Sequence, residues 1–210
     1  MLNNRNSKTT NLTNAHFTFD GNSITSFGYP TNVIALLPTG LGITMTNLGV
    51  SGQQSSDLIT RQAATDASFR ASASHNILVV CEILNSLQLG KTPRQAVDDY
   101  WTYCDARVAF GWKVVGWTGL PFSWIPNNNV TRKQVPVQLL EANILVRKEW
   151  KLHLHKLVDS RKIPQWDVQE APPTVGFVDG VHPDATGKDL MAMRLSAALR
   201  SVPLTLDSEY

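Results

Sequence analysis

The sequence predicts an α/β sandwich in which helices cover both faces of a parallel β-sheet. Short apolar runs alternate along the chain with helical patterns of roughly 10–20 residues, the order typical of this class. The most hydrophobic run, residues 77–83, has the composition of a central strand buried on both faces. Neither an internal repeat nor a linker interrupts the alternation, which favours one domain.

Length, composition and charge exclude several other classes. Of the 210 residues, 42% are hydrophobic and 17% charged, and 19 basic residues against 17 acidic ones leave a net charge of +2. This balance does not favour nucleic acid or an anionic membrane as a partner. The apolar runs are far shorter than the ~18 residues of a membrane span. We expect a polar tail over residues 1–14, then a single domain over 15–210 of undetermined oligomeric state.

The polar tail also bears on localisation. It lacks the basic region and apolar stretch of a secretory signal, which favours a cytoplasmic protein. A virion-associated protein, or one exported by another route, would show the same features. The two cysteines, Cys81 and Cys104, are too few for a disulfide framework, and we expect both to be packed thiols.

The first half of the chain reads as strand, helix, strand, helix, strand. Residues 16–20 alternate in strand fashion and end at a glycine, residues 33–37 form the apolar part of a short helix, and residues 43–48 form a second strand. Residues 55–69 follow with candidate N-cap serines and predict a helix. Residues 77–83 are the third strand.

The second half continues the same alternation. A proline in the first turn opens a helix over residues 92–110, and residues 113–117 form a fourth strand. Apolar residues at three- and four-residue steps predict one long helix over residues 135–158. The remaining predicted segments are a surface loop over 121–129, a short fifth strand around 166–168 and a final helix over 185–199.

Polar residues follow several of the predicted strands. Parallel sheets bind ligands at the carboxyl ends of their strands, so the segments 20–25, 47–52 and 83–86 are expected to meet at one edge. Residues 178–183, which precede the last helix, are expected to join them. The sequence therefore predicts a functional site built from these four segments.

The residue types in these segments are those of nucleophilic hydrolysis. A serine needs a base to take its proton, and His182 can act as that base for Ser23. Asp179, three residues earlier, can orient the imidazole. The backbone N–H groups of Ser23 and Gly49 and the side-chain amide of Asn85 can donate to an oxyanion.

This set of residues resembles the SGNH (GDSL-type) hydrolase family, named for Ser, Gly, Asn and His from four sequence blocks. The blocks occur in family order as residues 21–25, 47–49, 84–85 and 179–183, and the resemblance covers most of the chain. It implies a flavodoxin-like, three-layer α/β/α sandwich with a five-stranded parallel sheet. It also implies ester hydrolysis without a metal or organic cofactor.

The resemblance has two departures. Asn22 stands where the family usually has Asp, and Ile83 and Ser86 replace the Gly and Asp that usually flank the asparagine of the third block. Neither departure removes a catalytic atom, but both change the hydrogen bonding around the loops. Ser51 is the main competing serine.

The predicted function is hydrolysis of short acyl esters, with O-acetyl groups on carbohydrate favoured by analogy with small relatives. Trp117 and Trp124 follow the fourth strand and are candidates for a substrate-binding wall. The alternatives are a lipid esterase or thioesterase with a longer acyl groove, and a non-catalytic binding module that keeps the fold. His153 and His155 lie two residues apart on a predicted helix and so point to different faces, which argues against a metal site there.

Overall fold

A five-stranded parallel sheet forms the centre of the molecule. The computed structural model describes residues 11–122, 133–166 and 175–200. The spatial order of the strands is β2-β1-β3-β4-β5, and every pair is parallel. The strands are β1 (His16–Gly21), β2 (Thr44–Asn47), β3 (Asn76–Cys81), β4 (Lys113–Trp117) and β5 (Lys156–Val158).

Helices cover both faces of this sheet. One layer pairs α2 with the C-terminal helix α8, and the other contains α3 to α7, in which α6 packs against α3, α4, α5 and α7. The predicted three-layer α/β/α sandwich is therefore confirmed. The helices are α1 (Ser23–Ser26), α2 (Tyr29–Leu36), α3 (Ser55–Thr60), α4 (Gln62–Ala67), α5 (Leu84–Gln88), α6 (Pro93–Phe110), α7 (Val135–Glu149) and α8 (Ala185–Arg200).

Local sequence signals set the ends of the longest helix. Thr92 caps α6, and its hydroxyl accepts a hydrogen bond from the Gln95 N–H while the Gln95 side chain accepts one from the Thr92 N–H. Gly111 ends the helix with a positive φ of 115°. The helix predicted over residues 55–69 is divided at Arg61, whose side chain forms an ion pair with Asp20 at the end of β1.

The single helix predicted over residues 135–158 is wrong. Helix α7 ends at Glu149, a 3₁₀ turn covers Trp150–Leu152, and the chain then enters β5. Leu154 and Leu157 fit helical spacing, but here they pack at the edge of the sheet, a case in which a short apolar run fits either element. His155 lies beside β4, where its N–H bonds the Val114 carbonyl and its Nδ1 accepts the Val114 N–H.

The fifth strand is also misplaced in the sequence prediction. Trp166 lies in a 3₁₀ turn, Pro164–Trp166, and residues 167–168 lie outside the described residues. The strand that completes the sheet is Lys156–Val158, whose register pairs Gly116 with Leu157. Most of the predicted loop over residues 121–129 lies outside the described residues as well.

The core is apolar and contains both cysteines. Cys81 and Cys104 are buried and free, as predicted. In the three described ranges, no helix is long and apolar enough to cross a membrane.

The turn after β1 requires a glycine. Gly21 has a φ of +149°, and a side chain there would meet the Cys81 carbonyl oxygen and lie 2.7 Å from Thr25 Oγ1. The register of β1 and β3, which pairs Gly21 with Cys81, produces this close approach. The turn can therefore pass against β3 only where the residue lacks a Cβ.

We expect Gly21→Ala to lower the free energy of unfolding by about 3 kcal/mol, because it combines backbone strain with a clash against backbone. Gly40→Ala is the matched control, since Gly40 has a φ of +79° and open space around it. That control should cost only about 1 kcal/mol. Urea denaturation of both variants measures the difference, and equal losses would show that the approach to Cys81 is unimportant.

Candidate active site

Ser23 is held at the carboxyl end of β1 by the start of α1. Asn22 caps this short helix, with its Oδ1 accepting the Ile24 N–H at 2.9 Å. Ser23 is the first helical residue and is mostly buried. The serine therefore sits on a turn whose backbone is fixed on both sides.

Asp179 and His182 lie on a short loop that is closed on itself. Phe177 and Pro183 form an antiparallel bridge across its base, and the Val178 N–H donates to the His182 carbonyl at 2.9 Å. Asp184 joins the loop to α8, since its N–H bonds the Gly176 carbonyl and its carbonyl accepts the Lys188 N–H. The loop thus presents the two side chains from the N-terminal end of α8.

The structure brings Ser23, His182 and Asp179 into one hydrogen-bonded line. Ser23 Oγ lies 3.0 Å from His182 Nε2, and His182 Nδ1 lies 2.7 Å from Asp179 Oδ2. A carboxylate can only accept, so Asp179 selects the tautomer with the proton on Nδ1. Nε2 is then free to accept the hydrogen bond from Ser23.

The backbone holds Asp179 as an ionised acceptor. Its Oδ1 accepts the N–H groups of Val181 at 3.0 Å and His182 at 2.8 Å. Burial opposes the shift, but these bonds and the bond from the imidazole lower the pKa of Asp179. Asp179 is thus charged at neutral pH and stabilises an imidazolium at His182.

A cavity of about 360 Å³ opens in front of Ser23. Phe27, Leu89 and Val181 supply apolar walls, and the Phe27 ring packs edge-on against the His182 ring with centroids 5.0 Å apart. The other lining residues are Ser23, Ser51, Gly52, Asn85, Gln88, Asp179 and His182. The cavity therefore combines an apolar wall with convergent polar groups, as small-molecule sites do.

Asn85, predicted as an oxyanion donor, lies at the same cavity as Ser23. Its side-chain amide donates to the Gln53 carbonyl at 3.0 Å. An amide nitrogen carries two hydrogens, so one N–H remains for a ligand. The bond to Gln53 also orients the amide.

The geometry does not fit the role predicted for Gly49. Its N–H donates to Asn47 Oδ1 at 3.0 Å, and Gly49 packs against the backbone of α1 rather than lining the cavity. Gly52, three residues later, lines the cavity and has a φ of +81°. Within the described residues its N–H has no hydrogen-bond partner, and neither does that of Ser23. The sequence prediction named Gly49 and did not include Gly52, although both glycines lie in the segment 47–52.

The predicted tryptophan wall is not supported. Trp117 is 1% exposed and packs edge-on against Tyr29 with ring centroids 6.2 Å apart, so it belongs to the core. Successive side chains of a strand point to opposite faces of the sheet. Trp117 points toward the layer that contains α2, where it meets Tyr29. Trp124 lies outside the described residues.

Ser51, the competing serine, also lines the cavity, but among the described residues no basic side chain is hydrogen-bonded to it. Its hydroxyl lies 3.4 Å from Ser26 Oγ. Among the described side chains, the imidazole of His182 is bonded to Ser23 instead. The structure therefore distinguishes two serines that the sequence places in similar surroundings.

No metal site emerges from the described ranges, where no group of three or more His, Cys, Asp or Glu side chains could hold an ion. His153 is bonded to Asp105 at 2.8 Å and stacks on Trp101. Burial, and to a lesser extent Lys113, lower the pKa of His155 to about 4. The two histidines thus have separate structural environments, although neither lies on the helix that the sequence predicts.

Glu82 is a buried carboxylate directly behind the site, and sequence reasoning missed it. It follows β3 and is 3% exposed. Its oxygens accept hydrogen bonds from Asn22 Nδ2 at 3.2 Å, Asn85 N at 3.2 Å, and Ser86 N and Oγ at 3.2 and 2.9 Å. Burial raises the pKa of Glu82 to about 7, against the opposing effect of these hydrogen bonds. The available signal was a charged residue at the end of the most hydrophobic strand.

We expect the raised pKa of Glu82 to make stability depend on pH. Between its ordinary value of 4.5 and about 7, the folded protein keeps a proton that the unfolded chain has lost. Stability from this group is therefore complete below about pH 4.5 and decreases as the pH rises to about 7, by on the order of 3 kcal/mol. Urea denaturation of the wild type and of Glu82→Gln from pH 4.5 to 8 measures this.

The difference in unfolding free energy between wild type and variant should fall steadily over that range. Glu141→Gln, at an exposed position on α7, is the matched control and should show a difference independent of pH. A constant difference for Glu82→Gln too would mean that Glu82 titrates normally.

Comparison with solved structures identifies the fold. A GDSL-like lipase from Bacteroides thetaiotaomicron superposes with a TM-score of 0.70 at 19% identity, covering 88% of this chain and 87% of that chain. An acetyl xylan esterase gives a TM-score of 0.65 at 18% identity, covering 88% and 99%. A variant of an acetyl-xylooligosaccharide esterase from Geobacillus gives 0.62 at 16%, covering 88% and 93%.

No protein-family model matches the sequence, and no curated protein matches it. The structural likeness covers most of this chain and most of each of these proteins. The chain therefore has the α/β/α fold that these GDSL-like lipases and acetyl xylan esterases share.

Proposed function

We propose that this protein is a serine ester hydrolase of the SGNH type. The observation that carries the proposal is the hydrogen-bonded line from Ser23 Oγ through His182 to Asp179, at the edge of a cavity. A carboxylate bonded to Nδ1 and a serine hydroxyl bonded to Nε2 form the arrangement that nucleophilic catalysis requires. The fold shared with lipases and esterases supports the same reaction class.

In the first half of the reaction, Ser23 Oγ attacks the ester carbonyl carbon and its proton passes to His182 Nε2. The imidazolium that forms is stabilised by Asp179, whose carboxylate lies 2.7 Å from Nδ1. When the tetrahedral intermediate collapses, the bond to the leaving alcohol breaks and His182 returns the proton to the alcohol oxygen. An acyl group then remains on Ser23.

In the second half, a water molecule takes the place of the alcohol. His182 Nε2 removes a proton from this water as its oxygen attacks the acyl carbon. The bond to Ser23 Oγ breaks, and Oγ takes the proton back from the imidazolium. The products are the carboxylic acid and the free enzyme, and no redox or metal chemistry is required in this scheme.

The developing oxyanion is bound by N–H groups that face the cavity. We assign this role to the backbone N–H groups of Ser23 and Gly52 and the free amide hydrogen of Asn85, with Gly52 in place of the Gly49 expected from the sequence. The support is that Gly52 lines the cavity whereas the Gly49 N–H is bonded to Asn47. Loss of one donor of this kind typically costs about 10²–10³ in turnover.

The substrate we favour is a short acyl ester, with O-acetyl groups on carbohydrate as the leading class. A cavity of about 360 Å³ accepts an acetyl group together with part of an alcohol. Two of the proteins with this fold act on acetylated xylan or xylooligosaccharide, according to their names. The exposed Phe27 and Leu89 at the rim favour a longer acyl chain as the second candidate.

We expect a fluorophosphonate to label the protein once, on Ser23. The phosphonate reports an activated serine irrespective of the natural ester, because it reacts with the nucleophile itself. His182→Ala should slow the labelling by about 10²–10⁴, the usual contribution of a general base. Intact mass followed by peptide mapping measures both results.

Ser51→Ala is the control for this experiment and should be labelled at the wild-type rate. No adduct on folded wild-type protein would favour a binding module that keeps the fold. An adduct on Ser51 would show that the assignment of the nucleophile is wrong.

We expect acetyl esters to be hydrolysed with a kcat/KM at least about tenfold above that of octanoyl esters of the same alcohol, because each methylene that a pocket cannot accept costs about 1 kcal/mol or more. Leu89→Ala removes an apolar contact at the rim that only a longer acyl chain can reach, and it should lower the rate on the octanoyl ester relative to the acetyl ester. Initial rates on p-nitrophenyl esters measure this. A wild-type preference for octanoate would favour the lipid esterase or thioesterase instead.

A further inference from the structure

We propose that Glu82 is a positioning residue that ties the loop of Ser23 to the loop of Asn85. This inference rests on the proposed function, because it concerns how the nucleophile and an oxyanion donor are kept in register. Glu82 touches neither Ser23 nor the cavity, so its effect on the reaction passes through Asn22 and the backbone of Asn85.

One arm of the link reaches the nucleophile. Both polar atoms of the Asn22 side chain form hydrogen bonds. Its Oδ1 accepts the Ile24 N–H at 2.9 Å, and its Nδ2 donates to Glu82 Oε2 at 3.2 Å. Asn22 directly precedes Ser23 and is 1% exposed. Holding this amide therefore fixes the turn that carries the serine.

The other arm reaches the oxyanion donor. The same oxygen, Oε2, accepts the Asn85 N–H at 3.2 Å, while Oε1 accepts the N–H and hydroxyl of Ser86 at 3.2 and 2.9 Å. Ser86 in turn accepts the Ser55 N–H at 3.2 Å. A single carboxyl group thus holds the start of α5 and the turn before α1 at a fixed separation.

Burying the Glu82 carboxyl group costs desolvation free energy, which argues against a purely structural role. Among the described residues no cationic side chain pairs with it, and four hydrogen-bond donors are all that offset its desolvation. An apolar residue at the end of a buried strand would avoid that cost. The retained carboxyl group is explained if its four donors must be held in place.

The pair also accounts for the amide at position 22. An Asp there would place a second carboxylate against Glu82, and repulsion between them would displace one of the two loops. The geometry needs one amide and one carboxyl group, and either order satisfies the contact between the two side chains. The exchanged pair, Asn22→Asp with Glu82→Gln, restores this contact but not the acceptor of the Asn85 N–H, so it tests the arm that reaches Asn22.

The experiment compares four proteins. These are the wild type, Glu82→Gln, Asn22→Asp and the double variant Asn22→Asp/Glu82→Gln. For each protein the experiment measures kcat and KM for hydrolysis of p-nitrophenyl acetate and, separately, the rate at which a fluorophosphonate labels Ser23. We expect each single change to lower kcat by about tenfold or more with KM within about threefold, because catalytic groups lose alignment while binding contacts remain. The double variant should lose less than the product of the two single losses but stay below the wild type, because the contact between positions 22 and 82 is restored while the Asn85 N–H lacks its acceptor.

Thermal unfolding is measured for each variant and for the Glu141→Gln control. This measurement separates an effect on positioning from an effect on folding. Recovery of kcat in the double variant beyond the product of the single losses supports the proposal. Singles that keep wild-type kcat overturn it, as does a double variant that folds but shows only the product of the two losses. If Glu82→Gln alone fails to fold, the double variant decides, and its failure to fold as well would assign the pair to stability alone.

These results are distinguishable from failure of the proposed function. A wild-type protein that neither hydrolyses the ester nor labels on Ser23 removes the hydrolase proposal itself. An active wild type with unaffected variants removes only the role of Glu82.

Discussion

The close pairing of β1 with β3 is the constraint on which the site depends. Their register sets Gly21 opposite Cys81, and the chain can pass at that distance only because Gly21 has no side chain. The turn after β1 and the turn after β3 then start side by side. Ser23, Asn22 and Asn85 are neighbours for this reason, although about sixty residues separate the two turns in the sequence.

Two buried acidic side chains, Asp20 and Glu82, stabilise the edge of the sheet where the strands end. Asp20 accepts hydrogen bonds from Thr65 at 2.9 Å and Tyr103 at 2.5 Å and pairs with Arg61, which connects β1 to α3, α4 and α6. Within the described ranges, Glu82 has no such cation and accepts hydrogen bonds from neutral donors instead. The first group ties the sheet to a helix layer, whereas the second ties the loops of the site to each other.

The residues of the site come from two parts of the fold, the loops at the end of the sheet and the loop before α8. Ser23 and Asn85 are held by the sheet and by one another's loops, while Asp179 and His182 come from a loop that bonds mainly to itself and to α8. The Phe27 ring against His182 is a direct contact between the two parts. Since a serine and its base must stay within hydrogen-bond reach, α8 must pack correctly on the sheet before the line from Ser23 to Asp179 can form.

Local sequence determined much of this protein. The alternation of apolar runs with helical periods predicts the sandwich, Thr92 and Pro93 mark the start of α6, and the order of the polar segments predicts which residues meet. Such features depend on neighbours along the chain, because capping, periodicity and strand burial are local or nearly local effects. For this reason Ser23, Asp179 and His182 could be selected without a structure.

Tertiary contacts decided the rest. The run of residues 135–158 fits a helix by spacing, yet Lys156–Val158 forms a strand because the edge of β4 offers backbone hydrogen bonds. These bonds cannot be read from the local sequence. The proposal of Gly52 in place of Gly49 as an oxyanion donor depends on the bond between the Gly49 N–H and Asn47. The burial of Trp117 depends on its packing against Tyr29. The role proposed for Glu82 likewise cannot be predicted from the sequence, because its four donors come from two loops that only the folded sheet brings together.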